Sequence, residues 1–245
     1  MEDRCVMCGE IIPEGRQVCP VCEERILTRK GETTMKARTI KETEYTWQQI
    51  EEILAAGKAR ETFGDEGQIT VQVEGIGEAV LNILDYDKDK AANKDMHTMT
   101  LQFADLLFDE MPFDEDNCNK WEKSSIRNYL NSIAFKERFE EGFRKMLVPV
   151  LKENDGRQET LDTFFLLSVD EMKDETNKYN RFRTERDCVK VNADQETDWH
   201  WTRTAYRGYA YNPWSVYASG YVYNYYGALY SDRFAPACVI AAAIK

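Results

Sequence analysis

Residues 199–240 read WHWTRTAYRGYAYNPWSVYASGYVYNYYGALYSDRFAPACVI and are the most informative stretch of this 245-residue sequence. Nine of its 13 tyrosines lie between Tyr206 and Tyr230, and 17 of the 27 residues from Tyr206 to Asp232 are Tyr, Ser, Gly or Asn. Antibody-like binding surfaces have this composition, because Tyr supplies rigid contact area while the small polar residues supply adaptable hydrogen bonds. The composition predicts a ligand-binding surface.

The predicted ligand-binding residues are those whose types suit such a surface. They are Tyr206, Tyr209, Tyr211, Asn212, Ser215, Tyr217, Ser219, Tyr221, Tyr223, Asn224, Tyr225, Tyr226, Tyr230 and Asp232. A buried tyrosine needs a partner for its hydroxyl, so nine phenols in 25 residues favour exposure. The alternative is a tyrosine-rich sheet face that packs against the domain itself.

The flanks of this stretch, WHWTRT at 199–204 and RFAPACVI at 233–240, resemble the C-terminal part of C-type-lectin-fold proteins of the formylglycine-generating-enzyme-like branch. Within that branch they are most similar to phage and bacterial variable proteins of diversity-generating retroelements. MTLQFADLLF at 99–108, NKWEKSSIRNYLN at 119–131 and FFLLSVDEM at 164–172 also resemble phage-borne members. The resemblance spans residues 99–240 and implies an α+β, C-type-lectin-like fold with a variable-type segment at 199–240.

The resemblance further implies a non-enzymatic protein in which scattered positions of the variable-type segment differ between copies of the gene, while the scaffold residues stay constant. It also implies association with a virion. The implied scaffold residues are Trp199, Trp201, Thr202, Val216, Val222, Phe234, Pro236 and Val239. Oxidases of the branch use a closely spaced pair of cysteines near the C-terminus. In this chain the cysteine nearest to Cys238 in sequence is the distant Cys188, so the pair is absent. This departure disfavours oxidase activity, and a formylglycine-generating-type oxidase, which the resemblance also implies, is kept as the alternative function.

The N-terminal cysteines have the spacing of two metal-binding turns. Cys5-x2-Cys8 and Cys19-x2-Cys22 are ten residues apart, and four thiolates in this arrangement hold one structural zinc ion. About 25 residues bury too little apolar surface to fold alone, so the metal would supply the stability. A redox CxxC pair or a disulfide framework is the alternative. We expect this module to bind a protein partner or a second copy of the chain.

The sequence accordingly divides into a zinc ribbon at 1–27, a polar linker at 28–39 and a ligand-binding domain at 40–245. Within that domain, local patterns predict a helix that Thr46 caps and Gly57 ends, and a hairpin of QITVQVEG (68–75) and EAVLNILDYD (78–87). Further helices are predicted over Met99–Asp109 and Ser124–Leu147, and buried strands over Met146–Leu151 and Thr163–Val169.

The net charge of −12 repels nucleic-acid backbones and makes nucleic-acid binding an unfavoured function. A zinc-ribbon regulatory or nucleic-acid-associated protein stays open as a third alternative. No apolar run reaches the roughly 18 residues of a membrane span, and the start MEDRCVMCGE differs from a secretory signal peptide. We expect cytoplasmic synthesis and no membrane partner.

Other chemical motifs are incomplete. DYDKDK at 85–90 begins like a calcium loop, but Lys90 replaces its glycine and Met96 its bidentate glutamate. The acidic run 109–116 is interpreted as a solvated loop.

The histidines and isolated cysteines give no sign of catalysis. His97 and His200 are the two histidines, too few to favour a histidine-based hydrolase. Cys118, Cys188 and Cys238 are predicted to be buried structural thiols.

Overall fold

A computed structural model describes residues 45–91 and 95–245 of the chain. These residues belong to one unit, Glu44–Lys245. The predicted zinc ribbon, its four cysteine ligands and the linker lie outside the described residues.

The described part of the chain is a mixed α/β fold in which strands predominate. Its α-helices are α1 (Trp47–Ala55), α2 (Ala59–Phe63), α3 (Ser125–Leu130), α4 (Ile133–Glu137), α5 (Glu141–Met146) and α6 (Val169–Lys173). Its first eight strands are β1 (Gln68–Val73), β2 (Gly77–Tyr86), β3 (Met96–Phe103), β4 (Met111–Pro112), β5 (Leu147–Val148), β6 (Val150–Lys152), β7 (Thr160–Asp162) and β8 (Phe164–Phe165). The others are β9 (Lys190–Val191), β10 (Thr197–Asp198), β11 (His200–Ala205), β12 (Pro213–Val216), β13 (Val222–Tyr223), β14 (Ser231–Asp232) and β15 (Ala237–Ala243).

A curled six-stranded sheet forms the centre of the fold, in the order β1-β2-β3-β15-β5, with β8 also paired to β15. Every pairing in it is antiparallel, and β15 pairs with β3 over seven residues, from Ala237 opposite Gln102 to Ala243 opposite Met96. The helix α1 packs against β3 and β15. The last strand of the chain is therefore an interior strand of the main sheet.

Two local predictions are confirmed. Thr46 caps α1 in a capping box with Gln49, and Gly57 follows the helix with φ of +67°. The strands β1 and β2 form the predicted hairpin, with Gln68 opposite Asn82 and Val73 opposite Gly77. Both features depend on residues close in sequence, which is why the sequence pattern predicts them correctly.

The helix predicted over Met99–Asp109 is wrong, since this stretch begins as β3 and continues as a loop. The strands β2 and β15 pair with the two edges of β3, and all residues from Thr98 to Phe103 are buried. Thr98, Thr100 and Gln102 alternate with Met99, Leu101 and Phe103, which is the two-residue period of a strand, so the sequence carries a strand signal that the helix prediction missed.

The single helix predicted over Ser124–Leu147 is also wrong, because three short helices occupy this range. The Asn131 side chain ends the first by accepting from the Thr163 N–H at 2.8 Å and donating to the Phe164 carbonyl at 2.9 Å. Ser132 then caps α4. Between α4 and α5, the Glu140 N–H donates to the Gln72 carbonyl at 3.1 Å. Contacts with distant strands therefore interrupt the helix.

The two predicted buried strands are shorter than expected, and the first is not fully buried, since Leu147 and Val148 are half-buried and Leu151 is exposed. Pro149 separates β5, which pairs with β15, from β6, which pairs with β7, so Met146–Leu151 contributes to two different sheets. The strand β8 covers Phe164 and Phe165, and Ser168 then caps α6 in a capping box with Glu171. In the described ranges, no helix has the length and apolar character needed to cross a membrane.

Candidate functional site

The tyrosine-rich segment, residues 199–240, contains a three-stranded antiparallel sheet in the order β11-β12-β13. Trp201 of β11 lies opposite Ser215 of β12, and Ser215 lies opposite Tyr223 of β13. Trp201 and Val216 are buried in the core. The strands β11 and β12 thus anchor the segment through their inward side chains, while the connections carry most of the tyrosines.

Seven of the nine tyrosines between 206 and 230 are exposed, with 43% to 68% of their surface accessible. They are Tyr209, Tyr211, Tyr217, Tyr221, Tyr223, Tyr225 and Tyr230, and we call them the tyrosine surface. Tyr206 and Tyr226 are half-buried. The predicted residues Ser219 and Asn224 are exposed and half-buried, respectively. The segment is therefore not a tyrosine face packed wholly inside the domain.

Three predicted ligand-binding residues are buried instead of exposed. The Asn212 side chain donates to the Asn224 carbonyl at 2.7 Å, and the Ser215 hydroxyl donates to the Tyr223 carbonyl at 3.1 Å. Asp232 is buried in β14, which pairs with β4. Small polar residues serve here to satisfy backbone groups beneath the tyrosine surface, a role that residue type alone does not distinguish from ligand contact.

The turn between β12 and β13 holds two of the exposed tyrosines. The Tyr217 N–H donates to the Tyr221 carbonyl at 2.7 Å. Gly220 has φ of +87°, and a Cβ atom there would lie 2.0 Å from the Glu185 carbonyl oxygen. Glycine is therefore required at this position, which fixes the turn between the two tyrosines.

Asn119 is a supporting residue that sequence reasoning missed. Its side-chain amide donates to the carbonyls of Tyr206, Tyr209 and Asn212 at 3.0, 2.8 and 3.0 Å, and it is buried. Its backbone N–H also donates to the Ala210 carbonyl. Asn119 therefore holds the connection between β11 and β12 in place. Its separation of about 90 residues from these partners explains why no local pattern identifies it.

The acidic run 109–116 lies against the tyrosine-rich segment. The strand β4 within it pairs with β14, and the Asp114 N–H donates to the Ala228 carbonyl at 3.1 Å. Asp114 is buried, and its carboxylate accepts from the N–H groups of Cys118 and Ser125. The interpretation of the run as a solvated loop is therefore wrong at Asp114, whereas its four other acidic residues are exposed.

A stack of aromatic rings connects the tyrosine surface to the core. Trp199 and Tyr226 stack with centroids 4.3 Å apart, and Trp199 also contacts the buried Trp201 at 5.1 Å. Tyr226 in turn contacts Tyr225 and Tyr230. This stack restricts the rings before any ligand arrives, which lowers the entropy lost on binding.

An open pocket of about 390 Å³ lies within the tyrosine surface. Its lining residues are Asn117, Tyr209, Tyr211, Asn212, Tyr225, Gly227, Leu229 and Tyr230. Asn117, Gly227 and Leu229 were not predicted as site residues. Asn117 comes from the loop that follows the acidic run, so two distant parts of the chain form the pocket together.

Burial shifts the pKa of two groups near this surface. Burial raises the pKa of Asp232 to about 9, and Asp198 and Glu110 contribute in the same direction. Burial also raises the pKa of Tyr226, with further contributions from Tyr217 and Tyr225. Both shifts favour the neutral forms of Asp232 and Tyr226 at physiological pH.

A buried ionic cluster lies behind β11. Arg203 forms a double salt bridge with Glu171, and Lys152 contacts Glu171, Asp89 and the Tyr179 hydroxyl. Burial raises the pKa of Glu171, but Arg203 and Lys152 outweigh it and hold the pKa below its usual range. The cluster joins β6, α6 and β11, and its charges are paired with one another rather than free for substrate.

The isolated thiols and His200 offer little reactivity. Cys188 and Cys238 are buried as predicted, and burial raises the pKa of both. The prediction is wrong for Cys118, which is half-buried because its loop lies at the surface. Burial and then Lys190 lower the pKa of His200 to about 3, so its ring is neutral. Within residues 45–91 and 95–245, no group of three or more His, Cys, Asp or Glu residues could hold a metal ion.

Comparison with known proteins identifies the family. Neither a curated protein nor a solved structure matches the chain. Residues 98–242 match the sequence profile of a family described as a domain of unknown function, DUF6273. This match begins in β3, ends in β15 and includes every residue of the tyrosine surface. Since it covers more than half of the sequence, the chain belongs to the DUF6273 family.

Proposed function

We propose that this protein is a non-enzymatic binding protein that recognises a protein or cell-surface ligand through the tyrosine surface. The observation that carries the proposal is the exposure of seven tyrosines on a support of buried residues. Tyrosine rings bury large areas at low entropic cost and are frequent among the residues that dominate binding energy. Asn119 and the aromatic stack fix the backbone and rings that present this surface.

The proposal includes a C-type-lectin-like scaffold whose exposed positions a retroelement diversifies. In its support, most of the predicted ligand-binding residues are exposed, whereas Trp201, Val216, Phe234 and other implied scaffold residues are buried. Asn212, Ser215 and Asp232 depart from this division. We therefore assign them to the scaffold and expect them to stay constant.

Replacement of Tyr217, Tyr221, Tyr223 and Tyr225 by serine tests the binding proposal. All four are exposed, so we expect a melting temperature within about 2 °C of the wild type, while ligand capture is lost. The matched control replaces Leu151 and Leu161, an exposed apolar pair on the β6–β7 hairpin, by serine. Capture is measured on cell-surface extracts with both variants in parallel.

Two outcomes would contradict the proposal. A large fall in melting temperature for the tyrosine variant would place these rings in the structural core. Equal loss of capture for the leucine control would show that capture reports general stickiness and not the tyrosine surface.

We also propose that Cys5, Cys8, Cys19 and Cys22 hold one structural zinc ion and that this module tethers the protein to a partner or a second copy. Four thiolates match the donor preference of zinc. Metal analysis of the purified chain should find about one zinc per chain, and Cys5→Ser with Cys19→Ser should remove it. Disulfides detected in the native protein in place of zinc would refute this assignment.

A further inference from the structure

The pocket in the tyrosine surface has four tyrosine rings among its eight lining residues. Tyr209 and Tyr211 come from the connection between β11 and β12, with ring centroids 5.7 Å apart. Tyr225 and Tyr230 come from the connection between β13 and β14. The faces of aromatic rings carry partial negative charge, and a pocket that several rings line attracts organic cations.

The remaining lining residues add no positive charge. They are two asparagines, a glycine and a leucine. The Oδ1 atom of Asn212 is buried without a hydrogen-bond partner among the described residues, because its side-chain NH2 group faces the Asn224 carbonyl. An acceptor without a donor in a lining residue adds local negative potential and disfavours an anionic ligand.

Two acidic residues of the run lie next to the pocket lining in sequence. Glu115 and Asp116 are exposed and directly precede Asn117, a lining residue. Since successive Cα atoms are about 3.8 Å apart, both backbones lie within about 8 Å of Asn117, close to the Debye length at physiological salt. Arg207 is the one basic residue between 206 and 232, and it is absent from the pocket lining.

From this combination we propose that the pocket binds an organic cation, namely the lysine or arginine side chain or quaternary ammonium group of a larger ligand. The inference rests on the proposed function and specifies its ligand chemistry. Aromatic rings provide the contact area and the attraction for the cation, while Glu115 and Asp116 raise its local concentration. Arg207 opposes this attraction from its position two residues before Tyr209.

Choline and its uncharged isostere 3,3-dimethylbutan-1-ol test this inference directly, since they differ in charge and hardly in shape. Binding to the full chain is followed by NMR with labelled tyrosine rings, at constant ionic strength. We expect choline to bind with a dissociation constant in the millimolar range and about tenfold more tightly than the isostere. Equal affinities, or no shift of pocket tyrosines with choline at 50 mM (about 50-fold above a millimolar constant), would overturn the inference.

Single-residue variants test whether choline binds in this pocket. Tyr225→Leu should weaken choline binding about tenfold, whereas Tyr225→Phe should preserve it, because the ring and not the hydroxyl attracts the cation. Tyr45→Leu is the matched control, since Tyr45 is exposed, lies outside the tyrosine surface and does not line the pocket. Arg207→Glu should strengthen choline binding two- to fivefold at low salt. Loss of choline binding in Tyr225→Phe would mean that a hydrogen bond to the Tyr225 hydroxyl, and not the ring, holds choline, which contradicts the inference.

The two proposals can fail separately. If choline and its isostere bind alike while the four-tyrosine serine variant still loses ligand capture, the cation inference fails and the binding function stands. If choline selects the pocket but the serine variant captures as well as the wild type, the proposed function fails.

Discussion

Asp232 shows at the residue scale how burial changes the role that a residue type predicts. An aspartate in a Tyr, Ser and Asn-rich segment resembles a ligand contact, yet this one lies in β14 with its Oδ2 atom unpartnered among the described residues. Its pKa of about 9 exceeds the roughly 3.9 of an unfolded aspartate. The folded state therefore holds a proton that the unfolded state releases above pH 4.

We predict that Asp232→Asn stabilises the protein at pH 8. The stability linked to Asp232 is fully present below about pH 4 and is lost as pH rises towards 9, because ionisation of the buried carboxyl is unfavourable. Asparagine cannot ionise, so the variant should exceed the wild type by more than about 1 kcal/mol at pH 8 and by little at pH 4.5. Thermal melts at both pH values measure this, with the exposed Asp116→Asn as control. A stability difference independent of pH would contradict the prediction.

The thiols provide a second residue-scale prediction, which addresses the oxidase alternative. A catalytic thiol must be accessible and form a thiolate, but burial raises the pKa of Cys188 and Cys238. We expect a thiol reagent to modify the half-buried Cys118 at least tenfold faster than either. Peptide mass spectrometry of native and denatured samples measures the rates. Rapid modification of Cys188 or Cys238 in the native protein would reopen the oxidase function.

At the scale of elements, one side chain organises the connection between β11 and β12. Replacement of Asn119 by alanine leaves the carbonyls of Tyr206, Tyr209 and Asn212 without its amide. We predict a loss of about 1–3 kcal/mol in unfolding free energy and faster hydrogen exchange at 206–212. The control is Asn128→Ala, because Asn128 is exposed on α3. Unchanged exchange at 206–212 would remove Asn119 from this supporting role.

The ionic cluster joins three elements and leads to a fourth prediction. Glu171→Gln leaves Lys152 and Arg203 buried with reduced compensation, so we expect a loss of roughly 3–5 kcal/mol in unfolding free energy. Glu175→Gln removes an exposed ion pair with Lys178 and should change stability by less than about 0.5 kcal/mol. Denaturant unfolding compares the two variants. Similar small effects of both would mean that the cluster contributes no more than a surface pair.

At the scale of the whole molecule, the first and last strands of the family domain pair with each other. The DUF6273 match begins in β3 and ends in β15, and these two strands pair with each other. The tyrosine-rich segment between them leaves the main sheet, forms its own three-stranded sheet and returns. Variation within the segment therefore does not need to disturb the main sheet.

Sequencing of the gene in many copies from its source population tests the diversification proposal at this scale. Substitutions should concentrate at adenine-containing codons of the tyrosine surface, while the buried Trp201, Val216 and Phe234 stay constant. Asn212, Ser215 and Asp232 should also stay constant, because they support the backbone or lie in the core. Uniform sequences in all copies would exclude diversification and leave recognition of one constant ligand.

Three features follow from neighbours in the chain: the capped helix α1, the β1–β2 hairpin and the concentration of tyrosines near the C-terminus. The burial of Cys188 and Cys238 is predicted by the general preference of free cysteines for the interior, although the tertiary packing produces it. Capping, turns and alternation involve residues a few positions apart, so their physical cause is visible in a short window.

The division of Ser124–Leu147 into three helices and the places of Asn119 and Asn117 in the site are visible only in the folded chain. Each depends on partners far away in sequence, such as the Thr163 N–H beside Asn131 or the Tyr209 carbonyl beside Asn119. Hydrogen bonds to distant groups carry no local signature, whereas the strand pattern of Thr98–Phe103 is present in the sequence.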